Sequence, residues 1–288
     1  MNEFLIKILS WTGEDGKFAI KAFNIWHFLY LFIITGAIVG ACFALKGRKE
    51  ETKKKVLNIL SICVLCWYIT NFFLQPFVRG NNQLNIDKLP FHSCTLMSIV
   101  AVFAQFSNKK WFKEVSVTLA MSGALMYLTY PSTAFGGAAP WSFKVIETMV
   151  FHSALFSWGF LSLVTGQVKL RYKNMYMPLV GLVIIAVWAT IGNVSYNVSY
   201  LGDGEHPHYD WFFLTGSSFP FPPYLMPFLV IIAVYGVIAC FYLINYICEI
   251  VAKKIPLKKG QAHQSDNETL QEAALSADSE DKSNENKE

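Results

Sequence analysis

A histidine and a cysteine stand one residue apart, His92 and Cys94, at the start of an apolar run in the segment Lys88–Val100. A thiol attacks carbonyl carbon as its thiolate, and apolar surroundings disfavour that charge, so a cysteine here needs a base. If a regular helix begins at Pro90, residues two apart lie on different faces, which leaves His92 badly placed for the task. His152, carried by another apolar segment, is the better candidate, with His92 orienting it or binding a head group. Asn193, Tyr196 and Asn197 follow the three-and-four spacing of one helical face, and the amide of Asn193 or Asn197 is suited to hold a developing oxyanion. His27, at the start of the first apolar segment, joins them as a candidate substrate-binding residue. The chemistry such a set supports is acyl transfer: Cys94 attacks an ester carbonyl, a thioester forms, and a second hydroxyl receives the chain.

Two other chemistries use the same residues. His27, His92, Cys94 and His152 have the donor types of a tetrahedral zinc site, but His-x-Cys carries no zinc-specific spacing, and no metal or cofactor is expected. A transporter or binding protein for a small or lipid-like solute would line its path with these polar groups, against which stands the apolar opposite half of the helices.

The elements that must position these residues are membrane helices. Of 288 residues, 53% are hydrophobic and only 15% charged, too apolar a balance for a soluble domain of this size. Against the roughly 20 residues a spanning helix needs, the sequence predicts an all-α bundle of seven: Ile25–Leu45, Val56–Pro76, Leu89–Phe106, Val115–Tyr130, Val145–Thr165, Met177–Tyr196 and Tyr224–Val251. Most of the 24 basic residues fall in the connections after the first, third and fifth helices and at the C-terminal end. Basic loops stay cytoplasmic, so the N-terminus is expected outside and the C-terminus inside. Measured from the outside at 1.5 Å per residue, His92 and Cys94 lie roughly 5 and 8 Å deep and His152 roughly 10 Å deep. Three histidines, one cysteine and two asparagines therefore share one slab, while Asn58, Asn245 and Glu249 are the main polar points at the other end. Cys94 is the one cysteine of six near that outer face, so it is expected as a free thiol; the mid-helix Cys63-x-x-Cys66 reads as apolar filler.

Residues 1–24 place Phe4, Leu5, Ile8 and Leu9 on one face and read as an amphipathic segment on the outer surface. The dense positive cluster follows the first apolar helix, the reverse of a cleavable signal peptide, so none is expected. Residues 252–288 turn from basic to acidic and polar, a composition that cannot bury enough surface to fold. Asn197–Pro223 holds no Lys or Arg and is rich in proline and aromatics, which suits an interfacial loop covering the slab.

The segment "LPFHSC" resembles the L-P-x-H-x-C element of the YwaF-type bacterial membrane proteins, a group related to transmembrane protein 164. "FNIWHFLYL" with His27, "FHSALFSWG" with His152 and "GNVSYN" with Asn193 and Asn197 follow in the order that group has, over nearly all of Phe23–Glu249. Its Gly-Pro-Trp-Pro-Trp-Tyr-like stretch is here "SSFPFPPYLMP", and the Asn-Tyr of the sixth helix is Asn197-Val198. The resemblance implies an integral acyltransferase of a bacterial plasma membrane acting on phospholipids, with Cys94 as nucleophile and His152 as its partner. Membrane phospholipids are the expected partners, and no nucleic acid is.

Overall fold

The computed structural model describes residues 19–79, 84, 86–130, 137–198, 209–214 and 222–254. These residues form seven α-helices and no strand: α1 (Ile25–Leu45), α2 (Glu50–Arg79), α3 (Ser93–Phe106), α4 (Lys110–Thr129), α5 (Phe143–Val164), α6 (Tyr176–Val198) and α7 (Met226–Lys254). Of the expected N-terminal segment 1–24, residues 1–18 lie outside the described residues; of the expected tail 252–288, residues 252–254 instead continue α7, and 255–288 lie outside the described residues.

Four helices, α1, α2, α6 and α7, are long and apolar enough to cross a membrane. The others depart from that pattern for physical reasons. α3 has 14 residues. α4 and α5 are 20 and 22 residues long, but they carry Lys110, Lys113 and Glu114, and Lys144 and Glu147. Both are the inner helices of the bundle: α4 packs on α3, α5 and α6, and α5 on α1, α2 and α4. Ser116, Thr118, Ser122, Glu147, Thr148 and His152 are consequently buried among protein rather than exposed to lipid. Two of the hydroxyls turn back onto their helix, Thr118 Oγ1 donating to Glu114 O at 3.0 Å and Ser122 Oγ to Leu119 O at 3.0 Å, while Thr148 Oγ1 donates to the Glu147 carboxylate at 3.1 Å. α1 is the opposite case, exposing Phe32, Ile33, Val39 and Phe43 along its length.

The expected third helix starts four residues too early. Pro90 does not open it; a 3-10 turn, Ile86–Lys88, and a short irregular stretch intervene, and α3 begins at Ser93 with His92 as its N-cap residue. The Pro90 carbonyl instead accepts the Trp188 Nε1–H at 2.7 Å, and Phe91 fills a box made by Trp188, Tyr196 and Trp211, with ring centroids 5.2, 6.1 and 4.9 Å away. Gly192 makes that box possible, because a Cβ there would lie 2.5 Å from the Phe91 ring. Tertiary packing around Phe91 thus holds residues 89–92 out of the helix that their apolarity alone would extend.

The end of the bundle opposite Cys94 is more polar than its composition suggests. Glu114 is buried at 2% exposure, and its carboxylate accepts from Arg171 N–H at 2.6 Å, Asn174 Nδ2 at 2.7 Å and the Tyr242 hydroxyl at 2.9 Å. Nearby, Gln105 donates to Asn58 Oδ1 at 2.9 Å and accepts from the Trp158 indole at 3.1 Å. These groups satisfy one another, which is the condition for burying them. The chain divides into two compact units, 1–242 and 243–288; within the second, Asn245 donates to Glu249 at 3.1 Å.

Candidate active site

The later start of α3 changes the surroundings of Cys94. With His92 as N-cap, Cys94 is the second residue of the helix, inside the first turn, where backbone N–H groups have no intrahelical acceptor. The His92 side chain does not cap them. Cys94 therefore shares the first turn with those N–H groups, at the positive end of the helix dipole, which favours negative charge. Thr95 ties the turn together, its hydroxyl donating to His92 O at 2.9 Å and lying 3.3 Å from Leu89 O.

His152 is buried on α5. Its Nδ1 lies 2.8 Å from the Thr148 carbonyl oxygen. A carbonyl only accepts, so Nδ1 bears the proton and Nε2 of the neutral ring is left with its lone pair. The ring plane is fixed as well, because Tyr127 stacks on it with centroids 3.7 Å apart and planes 6° from parallel. Phe151 meets the ring edge-on at 5.1 Å.

The helix that relates the two groups is α4. Gly123 lies against the start of α3, where a Cβ would come 3.0 Å from Ser93 Oγ and 3.3 Å from Cys94 Sγ. Tyr127 is four residues on, hence on the same face about 5–6 Å away. One face of α4 thus holds the thiol at Gly123 and the imidazole at Tyr127. The sulfur's polar neighbour is Ser93 Oγ at 4.0 Å; no hydrogen bond joins Cys94 to His152 in this state. All six cysteines are free thiols, and Cys63 and Cys66 are exposed rather than filling the interior.

The other expected residues are placed as follows. His92 accepts from Phe212 N–H at Nδ1, 3.4 Å, and its ring centroid is 6.1 Å from that of Phe213. His27 is fully buried; Phe23 N–H donates to its Nδ1 at 3.0 Å, and its Nε2 donates to Leu128 O at 2.8 Å. Both His27 nitrogens are spent on backbone, joining the start of α1 to the end of α4. Asn193 likewise clamps the backbone of Trp211, accepting from its N–H at 2.8 Å and donating to its carbonyl at 3.1 Å. Asn197 lies at the end of α6, its side chain outside the described residues. Phe212 and Phe213, beside His92, have φ of 63° and 56°, a conformation that costs bulky residues on the order of 1–3 kcal/mol. Among the described residues no three His, Cys, Asp or Glu side chains gather as a metal cluster.

Sequence reasoning missed Gly123, Tyr127, Lys88 and Glu147. Lys88 Nζ lies 3.3 Å from both carboxylate oxygens of Glu147, and Thr148 Oγ1 donates to Glu147 Oε2 at 3.1 Å. A charged residue inside an expected span was a usable signal for Glu147; Gly123 and Tyr127 offered none.

No curated protein and no solved structure matches the chain. The model of the TMEM164 family matches residues 22–248, a stretch that contains Cys94, His152 and every helix that positions them. The chain belongs to the TMEM164 family, an assignment that agrees with its apolar, all-helical architecture.

Proposed function

We propose that the protein is an integral membrane acyltransferase that moves a fatty acyl chain between phospholipid-type molecules through a thioester on Cys94. The observation that carries this reading is the fixed tautomer of His152, whose free Nε2 belongs to a ring held one helical turn along α4 from the thiol. In the first half-reaction Nε2 takes the thiol proton and the sulfur attacks the ester carbonyl of a donor lipid. The first-turn N–H groups of α3 receive the resulting oxyanion. Collapse expels the lysolipid alkoxide, which takes the proton back from Nε2 and leaves the acyl group on sulfur. In the second half-reaction an acceptor hydroxyl gives its proton to Nε2 and attacks the thioester, and the thiol is restored. His92 and the Trp211–Phe213 turn border the entrance, and Asn193 shapes it through Trp211.

The same reading makes all seven helices spans, with α3 to α5 tolerating polarity because other helices surround them. The basic loops support an orientation with the N-terminus outside and the C-terminus in the cytoplasm of a bacterial plasma membrane, with residues 1–24 on the outer surface and the chain beyond α7 as a tail. No metal or cofactor enters the reaction.

The test is covalent trapping with a phospholipid carrying a labelled acyl chain. Hydroxylamine-sensitive label on the wild-type protein, absent from Cys94→Ser and formed at least about a hundredfold more slowly by His152→Ala, is expected. A Cys94→Ser protein that labels as the wild type does would end the proposal.

A further inference from the structure

Lys88 is the residue that neither the topology nor the acyl-transfer chemistry accounts for. It sits at the Cys94 end of the bundle, where basic residues are scarce, six residues before the thiol. Its position is built rather than loose. Its carbonyl accepts from the Tyr68 hydroxyl at 2.9 Å, and its ammonium reaches the carboxylate of Glu147. That carboxylate is on α5 next to Thr148, whose carbonyl holds His152. The side chain of Glu147 is 5% exposed, whereas that of Lys88 is 25% exposed, so the cation forms the open side of the pair.

The contact is also slack. Both Nζ–O distances are 3.3 Å, beyond the 2.7–2.9 Å usual for an ammonium on a carboxylate. Two of the three ammonium donors are spent weakly, and the third has no partner among the described residues. An ammonium held this loosely and one quarter exposed keeps the capacity for a second, closer anion. In a glycerophospholipid the ester carbonyl and the phosphate are separated only by the glycerol backbone. The Lys88 ammonium stands on Glu147, next to the Thr148 that holds His152, so a donor whose ester lies between Cys94 and His152 brings its phosphate to the Lys88 side of α5.

We propose that Lys88 binds the phosphate of the donor lipid and selects phospholipids over neutral glycerolipids, with Glu147 holding the ammonium in place when the site is empty. The proposal rests on the acyl-transfer reading of the same site. It is tested on the full-length protein with two labelled donors in vesicles, a diacyl phospholipid and a diacylglycerol. Lys88→Gln is expected to raise KM for the phospholipid about tenfold, the loss of one charge-assisted contact, with kcat and diacylglycerol use unchanged. Lys88→Arg should restore KM. Glu147→Gln frees the ammonium, so phospholipid KM should fall or stay level.

Equal losses with both donors in Lys88→Gln and Glu147→Gln would make the pair purely structural and overturn the proposal. So would competition by inorganic phosphate at low millimolar concentration, which would assign the site to the free anion. If the wild type forms no thioester with either donor, the acyl-transfer reading has failed. Native mass spectrometry of co-purified lipid then still decides the site: about tenfold less phospholipid relative to diacylglycerol on Lys88→Gln supports it, and equal retention overturns it.

Discussion

Gly123→Ala is the most direct probe of the geometry that joins thiol to imidazole. The new methyl would lie 3.0 Å from Ser93 Oγ and 3.3 Å from Cys94 Sγ, both inside ordinary contact by a few tenths of an ångström. The Ser93 hydroxyl can rotate away, but the sulfur sits on a single torsion whose staggered wells are far apart. It must therefore shift by a fraction of an ångström with the start of α3, or leave its well. Misplacing a reacting group by 1 Å costs on the order of 10²-fold, so a shift of a third to half that distance predicts roughly a fivefold to tenfold slower acylation. The net loss of stability should be about 0–2.5 kcal/mol. Overpacking costs about 1–3 kcal/mol, whereas replacing glycine by alanine inside a helix gains about 0.5–1 kcal/mol. Gly236→Ala is the control, since nothing lies within 4 Å of a Cβ there. The assay is the time course of hydroxylamine-sensitive label at saturating donor, beside thermal unfolding in the same detergent. A Gly123→Ala protein that acylates at the wild-type rate refutes the placement of the thiol against α4.

Further outcomes follow from the other contacts and from the topology. Tyr127→Phe keeps the ring stacked on His152 and should acylate within about threefold of wild type, while Tyr127→Leu frees the imidazole and should lose about tenfold or more in kcat; equal rates for the two would remove the stack from the mechanism. Glu114→Leu leaves Arg171 N–H, Asn174 and the Tyr242 hydroxyl without their acceptor and should destabilise by about 2–4 kcal/mol in denaturant titrations, with donor preference unchanged. Asn193→Leu removes both bonds to the Trp211 backbone, so hydrogen exchange over residues 209–214 should accelerate at least tenfold; unchanged protection there would mean Trp211 is held by its aromatic neighbours alone. Chelators should leave labelling of Cys94 unaltered, and tags at the two ends should be accessible from opposite sides of the membrane; both ends on one side would break the seven-span topology.

The helical bundle was legible because each apolar run is long and local. The first helix, Ile25–Leu45, has the same limits in sequence and structure, and Asn24 caps it by accepting from His27 N–H at 3.1 Å, a pattern written in adjacent residues. The third was misread at its start for an equally physical reason. Hydropathy continues through Leu89–Phe91, and nothing local says that Phe91 is drawn into a box with Trp188 and Trp211 from residues about a hundred positions away. That single displacement moved Cys94 into the first turn of its helix. The inner character of α4 and α5 was hidden in the same way, since it shows only in the distant partners of Glu114 and Glu147, Tyr242 and Lys88.

By itself the sequence determined the residue types of the candidate site and led to the expectation of one shared slab, because depth is counted along a helix at 1.5 Å per residue. It could not say which polar groups were already taken. His27 and Asn193 spend their ring nitrogens and amide on backbone from α4 and from the Trp211 turn, and His92 accepts from Phe212, whereas His152 keeps Nε2 free because Thr148, one turn away on its own helix, holds Nδ1. Depth is a one-dimensional property that a helix inherits from its sequence. Rotation of one helix against another, which put Gly123 at the thiol and Tyr127 on the imidazole, is decided by side-chain packing, and only the tertiary structure records it.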